Sequence, residues 1–424
     1  MVPQSLYPVI QPGIMLAGNY LDRNNRTPYV QQFNASVQYE LARNTTLQVA
    51  YVGTRGVRLY RFVGINQPQI ATLTRPVINA VTGEVITTNT PDNALLRAPM
   101  QGVWTNGAFV LNRTDAQSTY HSLQVSVNRS MSPGLQFQAA YTFSKSIDNA
   151  SGAGGGAGSN GVIDTSSALD TAIIPGNQLD PRSNHGVSDF DRPQRFVAAW
   201  TWDLPQPDFA KSSTAGRWML ANWQISGIVT LMSGLPIDVV DPAGGSLYGQ
   251  VGARPNWALG ANRRTAMSNT PPGYYFNPYA FAMAIVQPGQ PIPSAHDPNA
   301  LAGDVGTDFG KVGRNALRGP AQSCVDFSVL KRWPIRESAS LELRADFFNL
   351  FNHPNRNNPI SDISVVTATG GSVDPISGRI LSPGDFGRTL GVSSKPANHP
   401  VGRQVQFLVV PNRVCKTAAA RVRR

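Results

Sequence analysis

The feature that most constrains this chain is a regular alternation of apolar and polar residues that recurs along much of its length. From Tyr29 to Leu41, most odd-numbered residues are aromatic or aliphatic, whereas nearly all even-numbered ones are polar. A two-residue period puts successive side chains on opposite faces of a β-strand, so such a strand separates two environments. The same pattern recurs near residues 46–51, 121–127, 135–144, 196–204, 223–231, 325–329, 341–347 and 404–409.

The connections between these segments alternate in length. Tight turns are predicted at 41–45, 131–135 and 335–338, and one intermediate connection lies at 205–222. The long ones are near 64–119, 149–193, 241–323 and 352–402. Barrels that cross a membrane have short periplasmic turns, long extracellular loops and aromatic residues near the strand ends. Aromatic residues fall toward the predicted strand ends, as at Tyr29, Tyr39, Tyr141, Phe143, Trp200, Trp202 and Trp223.

We therefore predict an all-β fold, a transmembrane antiparallel β-barrel with long extracellular loops. The count is about nine to eleven strands, because two weaker segments, Val57–Val63 and Gly107–Leu111, could each add one. Many of the predicted strands match the roughly 9–11 residues that a tilted strand needs to cross a bilayer. The loops are rich in Gly, Pro, Asn and Thr, and the glycine-rich segment 151–161 is predicted to be mobile.

Charge and composition exclude several other classes. Only 14% of residues are charged, and the net charge of +11 comes from scattered arginines, with one basic run at 416–424. We therefore predict no nucleic-acid partner, and expect the arginines to suit the phosphates of outer-membrane lipid and lipopolysaccharide. No apolar stretch is long enough for a transmembrane helix, and no signal peptide is visible at the start. Cys324 and Cys415 are too far apart for a metal knuckle.

The motifs that could carry chemistry are weak. Residues 156–161 match GxGxxG, but no amphipathic helix follows, so we interpret them as a glycine loop. The five histidines, His121, His185, His296, His353 and His399, lack metal-binding spacing. Asp189 and Asp191 lie close to Arg192 and Arg195, which favours a local salt-bridged turn over a catalytic carboxylate pair. We predict no catalytic residue, no cofactor, no metal and no enzyme activity.

Glu342, Arg344 and Asp346 are the candidate site residues. They alternate along one predicted strand, so all three share its polar face. In a barrel they would line the lumen as a charge ladder. There they could contact a plug or a solute, although pairing with neighbouring strands is the more common role of such charges.

The set of segments resembles the Oar-like family of TonB-dependent receptors, of the type best represented in acidobacteria. The resemblance covers roughly residues 28–410, and the order and spacing of the segments agree. It is carried by PYVQQFNASVQYELARNTTLQVAYVGTRGVRL (28–59), STYHSLQVSVNRSMSPGLQFQAAYTFSKSIDN (118–149), FDRPQRFVAAWTWDLP (190–205), NWQISGIVTLMSGLPIDV (222–239), GRNALRGPAQSCVDFSVLKRWPI (313–335) and LELRADFFNLFNHPNRNNP (341–359).

The resemblance implies an outer-membrane barrel of about 22 strands, closed by an N-terminal plug, that takes up bulky solutes. This sequence holds about half of those strands and shows neither the plug nor the box that couples to TonB. We therefore predict a C-terminal fragment, with an irregular segment at 1–27, a partial barrel at 28–410 and a basic tail at 411–424. Its expected partners are the missing plug and barrel half, TonB through that missing region, and an unidentified solute.

Two other functions stay open. A structural or adhesive surface barrel would have the same strands but no transport role. A soluble all-β enzyme or carbohydrate binder would have to bury the apolar faces of its strands within a core.

Overall fold

The computed structural model describes most of the chain, and its secondary structure is almost entirely β. The described residues are 18–105, 109–130, 134–151, 176–180, 182–242, 244, 253–292, 299–303, 306–307, 309–336, 339–391 and 403–411. The predicted glycine loop, the C-terminal tail, His296, His399 and Cys415 lie largely or wholly outside these ranges.

Nine long strands of the described chain lie side by side in one antiparallel sheet, in the order in which they occur in the sequence. The predicted antiparallel all-β architecture is thus confirmed. The strands are β1 (Tyr29–Ala42), β2 (Thr45–Gly64), β3 (Phe109–Arg129), β4 (Leu135–Asp148), β5 (Gln194–Asp203), β6 (Trp223–Met232), β7 (Gln322–Arg336), β8 (Ala339–Phe347) and β9 (Arg403–Pro411).

Two short strands join the same sheet. Gly18–Leu21, within the segment predicted to be irregular, runs parallel to β3, and Gly186–Val187 pairs with β4. Within the described residues β1 pairs only with β2, and β9 pairs only with β8, so the sheet has two free edges.

The two predicted extra strands are parts of β2 and β3, at the ends that the β2–β3 connection joins. Val57–Val63 continues β2, which is 20 residues long, and residues 109–111 begin β3, which is 21 residues long. The pairing register of β2 and β3 shifts at Val57, Leu59 and Arg61, next to Arg58 with its left-handed φ of 57°. Because a register shift breaks the two-residue period, one bent strand gives the pattern of two separate ones.

The short and long connections lie at opposite ends of the strands. At one end β1 turns into β2 through residues 43–44, where Asn44 adopts the left-handed conformation that tight hairpins need. The end of β3 and the start of β4 lie at this end too, as do the end of β7 and the start of β8. The β5–β6 connection also lies there and forms helices α1 (Asp208–Lys211) and α2 (Thr214–Leu220).

The long connections carry only short elements. These are the helices α3 (Arg263–Ala266) and α4 (Val365–Ala368) and the 3₁₀ turn Pro278–Ala280. The paired two- and three-residue strands are Val77–Ile78 with Val85–Ile86, Pro236–Ile237 with Leu317–Arg318, Asn256–Trp257 with Phe281–Ala282, Ile285–Val286 with Gly306–Thr307, and Ser372–Val373 with Ile380–Ser382. In the part of the chain described, no helix is long and apolar enough to cross a membrane.

The largest hydrophobic core lies in the long connections and not on the sheet. It joins the β6–β7 connection to the β8–β9 connection, and we call this packed unit the loop lobe. Its buried members are Ile237, Val239, Ala266, Phe276, Ala280, Phe281, Val312, Leu317, Ile363, Val366, Ile380 and Phe386. The described parts of these two connections are therefore packed, which their Gly-, Pro-, Asn- and Thr-rich composition did not indicate. A core built from scattered residues has no periodicity that the sequence could reveal.

The two faces of the sheet differ in polarity and exposure. Val37, Val49, Tyr141 and Leu231 share one face through the cross-strand register, and all four are exposed. We call it the apolar face; its other exposed members are Tyr29, Phe33, Tyr39, Leu41, Tyr51, Leu123, Phe143, Trp202 and Ile335. An apolar surface of this extent is not expected in contact with water.

Gly227 makes room for an aromatic ring on the apolar face. It lies opposite Trp200, and a Cβ at this position would lie 2.4 Å from the ring. We expect Gly227→Ala to displace the ring and to reduce the free energy of unfolding by about 1–3 kcal/mol. Denaturation in detergent measures this loss. Gly313→Ala is the control, because a Cβ there meets nothing within 4 Å. Equal denaturation midpoints for Gly227→Ala and Gly313→Ala would contradict the prediction.

Candidate functional site

The face opposite the apolar one carries a continuous row of polar residues. Gln136, Thr201, Ser226, Ser328 and Asp346 are successive cross-strand partners from β4 to β8. We call this side of the sheet the polar face. Residues in such register lie about 5 Å apart, so the row forms a polar stripe across five strands.

Hydrogen bonds between neighbouring strands hold this surface in place. Gln224 Nε2 donates to Asp203 Oδ1 at 2.6 Å, and Ser328 Oγ donates to Asp346 Oδ1 at 2.5 Å. The backbone N–H of Asn349 donates to Asp326 Oδ1 at 2.9 Å. The polar side chains are thus partly satisfied by each other, and the rest of their bonding capacity faces the space beside the sheet.

Glu342, Arg344 and Asp346 all lie on the polar face, at successive alternate positions of β8. Glu342 pairs across to β7, where Arg332 Nε lies 2.5 Å from Oε1. Arg344 Nε lies 2.8 Å from Asp346 Oδ1 on the same strand. The structure therefore pairs each of the three charges with an opposite charge or a hydroxyl. Their role as lumen-lining residues stays a prediction.

A groove of about 400 Å³ runs along the polar face beside Arg344 and Asp346. Its other polar lining residues are Gln136, Gln138, Thr201, Ser226, Asp326 and Ser328. Amides, hydroxyls and a carboxylate–guanidinium pair offer both donors and acceptors to a hydrated solute. The groove is open, and apolar residues, among them Ala199, Ile228 and Phe348, also line it.

The polar face is covered by residues of the long connections near the ends of the strands that these connections join. Ser144 and Ser146, near the end of β4, are buried beneath residues 186–193. Ser146 Oγ lies 2.9 Å from Ser188 Oγ, and the Ser146 N–H donates to Asp191 Oδ1 at 2.7 Å. These bonds place the connection over the polar face and leave the apolar face bare.

A buried network of ion pairs holds residues 186–193, which we call the cover, against the sheet. Arg314 Nη1 lies 2.6 Å from Asp148 Oδ1 at the end of β4, and both side chains are 2% exposed. Arg314 Nη2 lies 2.8 Å from Asp189 Oδ1. Burial alone would lower the pKa of Arg314, but the Asp189 and Asp148 carboxylates outweigh burial and raise that pKa above its usual value. Arg314 therefore stays charged in its buried position.

Two more ion pairs extend the network. Arg318 Nη2 lies 2.7 Å from Asp191 Oδ2, and Arg254 binds both carboxylate oxygens of Asp238 at 2.9 and 3.0 Å. The arginines that bind Asp189 and Asp191 are 125 and 127 residues away in the sequence. The expected local turn with Arg192 and Arg195 is therefore wrong, since Arg192 donates instead to the Ser233 carbonyl at 2.7 Å. No local spacing signal links such distant residues.

The other candidates from the sequence remain apart. His121 Nδ1 lies 2.6 Å from the Tyr51 hydroxyl oxygen on the apolar face, and His185 and His353 lie in connections. Cys324 is a free thiol on β7. Across the described ranges, no three His, Cys, Asp or Glu residues are grouped so as to hold a metal ion.

The sheet is antiparallel, one of its faces is apolar and exposed, the other is polar, and the long connections lie at one end of the strands. Together these features define an outer-membrane β-barrel protein. The chain belongs to the outer membrane beta-barrel domain family, whose model matches residues 2–406. The predicted fold class and outer-membrane location are thereby confirmed.

Solved structures of outer-membrane transporters are similar to parts of the chain. The outer membrane transporter YddB from Escherichia coli matches at 9% identity and a TM-score of 0.37, over 87% of this chain and 33% of its own. The copper transporter OprC matches at 8% identity and a TM-score of 0.27, over 78% of this chain and 27% of its own. The chain thus spans a third or less of each. No curated protein matches it.

Proposed function

We propose that this chain is part of the barrel of an Oar-like TonB-dependent outer-membrane receptor, and that the barrel takes up a bulky solute. The observation that carries the proposal is the polar stripe from Gln136 to Asp346, with its open groove, on the face of the sheet opposite the exposed apolar one. A structural barrel has no need of a hydrated path beside its charged residues. The resemblance of the segments to Oar-like receptors supports the narrower assignment.

We also propose that further strands close the sheet. The outer edges of β1 and β9 have no partner strand in the described chain, and each unsatisfied backbone group in a bilayer costs several kcal/mol. In an Oar-like receptor, these strands and the plug would come from the same polypeptide. A second copy of this chain is the other source.

Intact mass of the native outer-membrane product, together with the DNA sequence upstream of the Met1 codon, tests the source of the missing strands. We expect a product well above 45.6 kDa that contains a plug and a TonB box. A native mass near 45.6 kDa, with stop codons upstream, would contradict the receptor assignment and leave an oligomeric surface protein.

The water-filled path is tested by cysteine labelling in the native membrane. In a background without native cysteines, Ser226→Cys lies in the groove, whereas Leu231→Cys lies on the apolar face of the same strand. We expect a water-soluble maleimide to react at least about tenfold faster at position 226, because lipid shields position 231 from the reagent. Equal rates would contradict a lumen on the polar face.

A structural or adhesive surface protein is the second candidate. The packed loop lobe favours it, because a rigid extracellular unit suits adhesion as well as solute capture. Loss of cell attachment without loss of any solute uptake, on deletion of the gene, would select it.

A further inference from the structure

The β5–β6 connection packs on the outside of the barrel sheet. Its helix α2 reaches the apolar face of β7, where Trp333 Nε1 donates to the Trp218 carbonyl at 3.0 Å. The two indole rings lie 5.7 Å apart. The other short connections contain no described helix. This one therefore adds a helical element at the end of the strands where the short turns lie.

A buried lysine of the sheet binds the β5–β6 connection. Lys331 lies on the apolar face of β7 through its register with Trp223 and Leu343, yet its residue is only 1% exposed. Its Nζ lies 5.3 Å from the Trp223 ring centre and 5.4 Å from that of Trp333, and it donates to the Ala221 carbonyl. Two aromatic faces and a carbonyl thus satisfy a cation that would be costly in hydrocarbon.

Three large apolar side chains of the connection are exposed. Phe209 is 77% exposed, Trp218 is 64% and Met219 is 60%. Arg217 is exposed beside them, and Lys211 pairs with Asp208 at 2.7 Å. Large apolar side chains next to basic ones are typical of helices that lie in the plane of a membrane interface.

We propose that α1 and α2 form an interfacial anchor that inserts Phe209, Trp218 and Met219 among the phospholipid headgroups of the periplasmic leaflet. The inference goes beyond the proposed function and rests on it, because in an outer-membrane receptor barrel the short connections face the periplasm. The observation that selects lipid as the occupant is continuity: Trp333 and the exposed Ile335 extend the apolar face of the sheet directly to α2. Lys331 and its tryptophans fix the anchor to β7, so the anchor sets the height of the barrel in the bilayer.

Spin-label accessibility in the full chain tests the anchor. Single cysteines replace Phe209 or Met219 in a background without native cysteines, and the protein is reconstituted in phosphatidylethanolamine–phosphatidylglycerol vesicles. Leu259→Cys is the matched control, because Leu259 is equally apolar and fully exposed but lies in the loop lobe. Val37→Cys, on the apolar face of β1, reports whether the sheet itself contacts lipid.

We expect labels at 209 and 219 to collide with oxygen at least about threefold more, relative to a water-soluble nickel chelate, than the label at 259. If the label at 37 favours oxygen, as in lipid, while the labels at 209 and 219 favour the nickel chelate, as in water, the anchor is overturned and the proposed membrane barrel stands. Water values at 37 as well would overturn both, because the apolar face would then not be in the bilayer.

Discussion

An Arg314→Ala variant is expected to lose about 3–5 kcal/mol of unfolding free energy, because it leaves the buried carboxylate of Asp148 without its cation. The loss should fall on the region that joins the sheet to its cover. Amide hydrogen exchange in residues 184–193 and 314–320 measures local opening there, and denaturation in detergent measures the total.

A double variant and a surface control make this result specific. Asp148→Asn combined with Arg314→Ala should recover part of the lost stability, since the amide needs no counter-charge. Lys211→Ala removes an exposed ion pair with Asp208 and should leave stability unchanged. Equal effects of Arg314→Ala and Lys211→Ala would show that the buried network does not hold the cover.

A Phe281→Ala variant is expected to reduce the unfolding free energy of the loop lobe by about 3–5 kcal/mol. Phe281 is fully buried and packs edge-on against Phe276 at 5.5 Å and Phe386 at 5.7 Å. Its ring also stacks on Trp257 at 5.1 Å. Removing it leaves a cavity at the point where the β6–β7 connection meets the β8–β9 connection.

Protease sensitivity of the two connections reports this loss, with denaturation as the energetic measure. Phe351→Ala is the matched control, because Phe351 lies in the β8–β9 connection, which Phe281 contacts through Phe386, but its side chain is largely exposed. It should change stability by no more than about 0.5 kcal/mol. If Phe281→Ala resisted protease as well as Phe351→Ala does, the connections would not depend on a shared core.

The alternation of residues determined the sheet, and the reason is local. Each strand carries its own two-residue period, so β1, β4 and β6 could be placed without knowledge of their neighbours. The same period assigned Glu342, Arg344 and Asp346 to one face. The period breaks at the register shift next to Arg58, so there the pattern predicts two strands where the structure has one.

The packing of the long connections depends on contacts between segments that are distant in the sequence. Their core combines residues as distant as Ile237 and Phe386, and the Arg314–Asp148 pair spans 166 residues. No periodic signal marks such contacts, because each depends on two chain segments that meet only after folding. The position of α2 is of the same kind. The sequence indicated a connection of intermediate length, but only the contacts of Trp218 and Ala221 with Trp333 and Lys331 of β7 place it on the apolar face of the sheet.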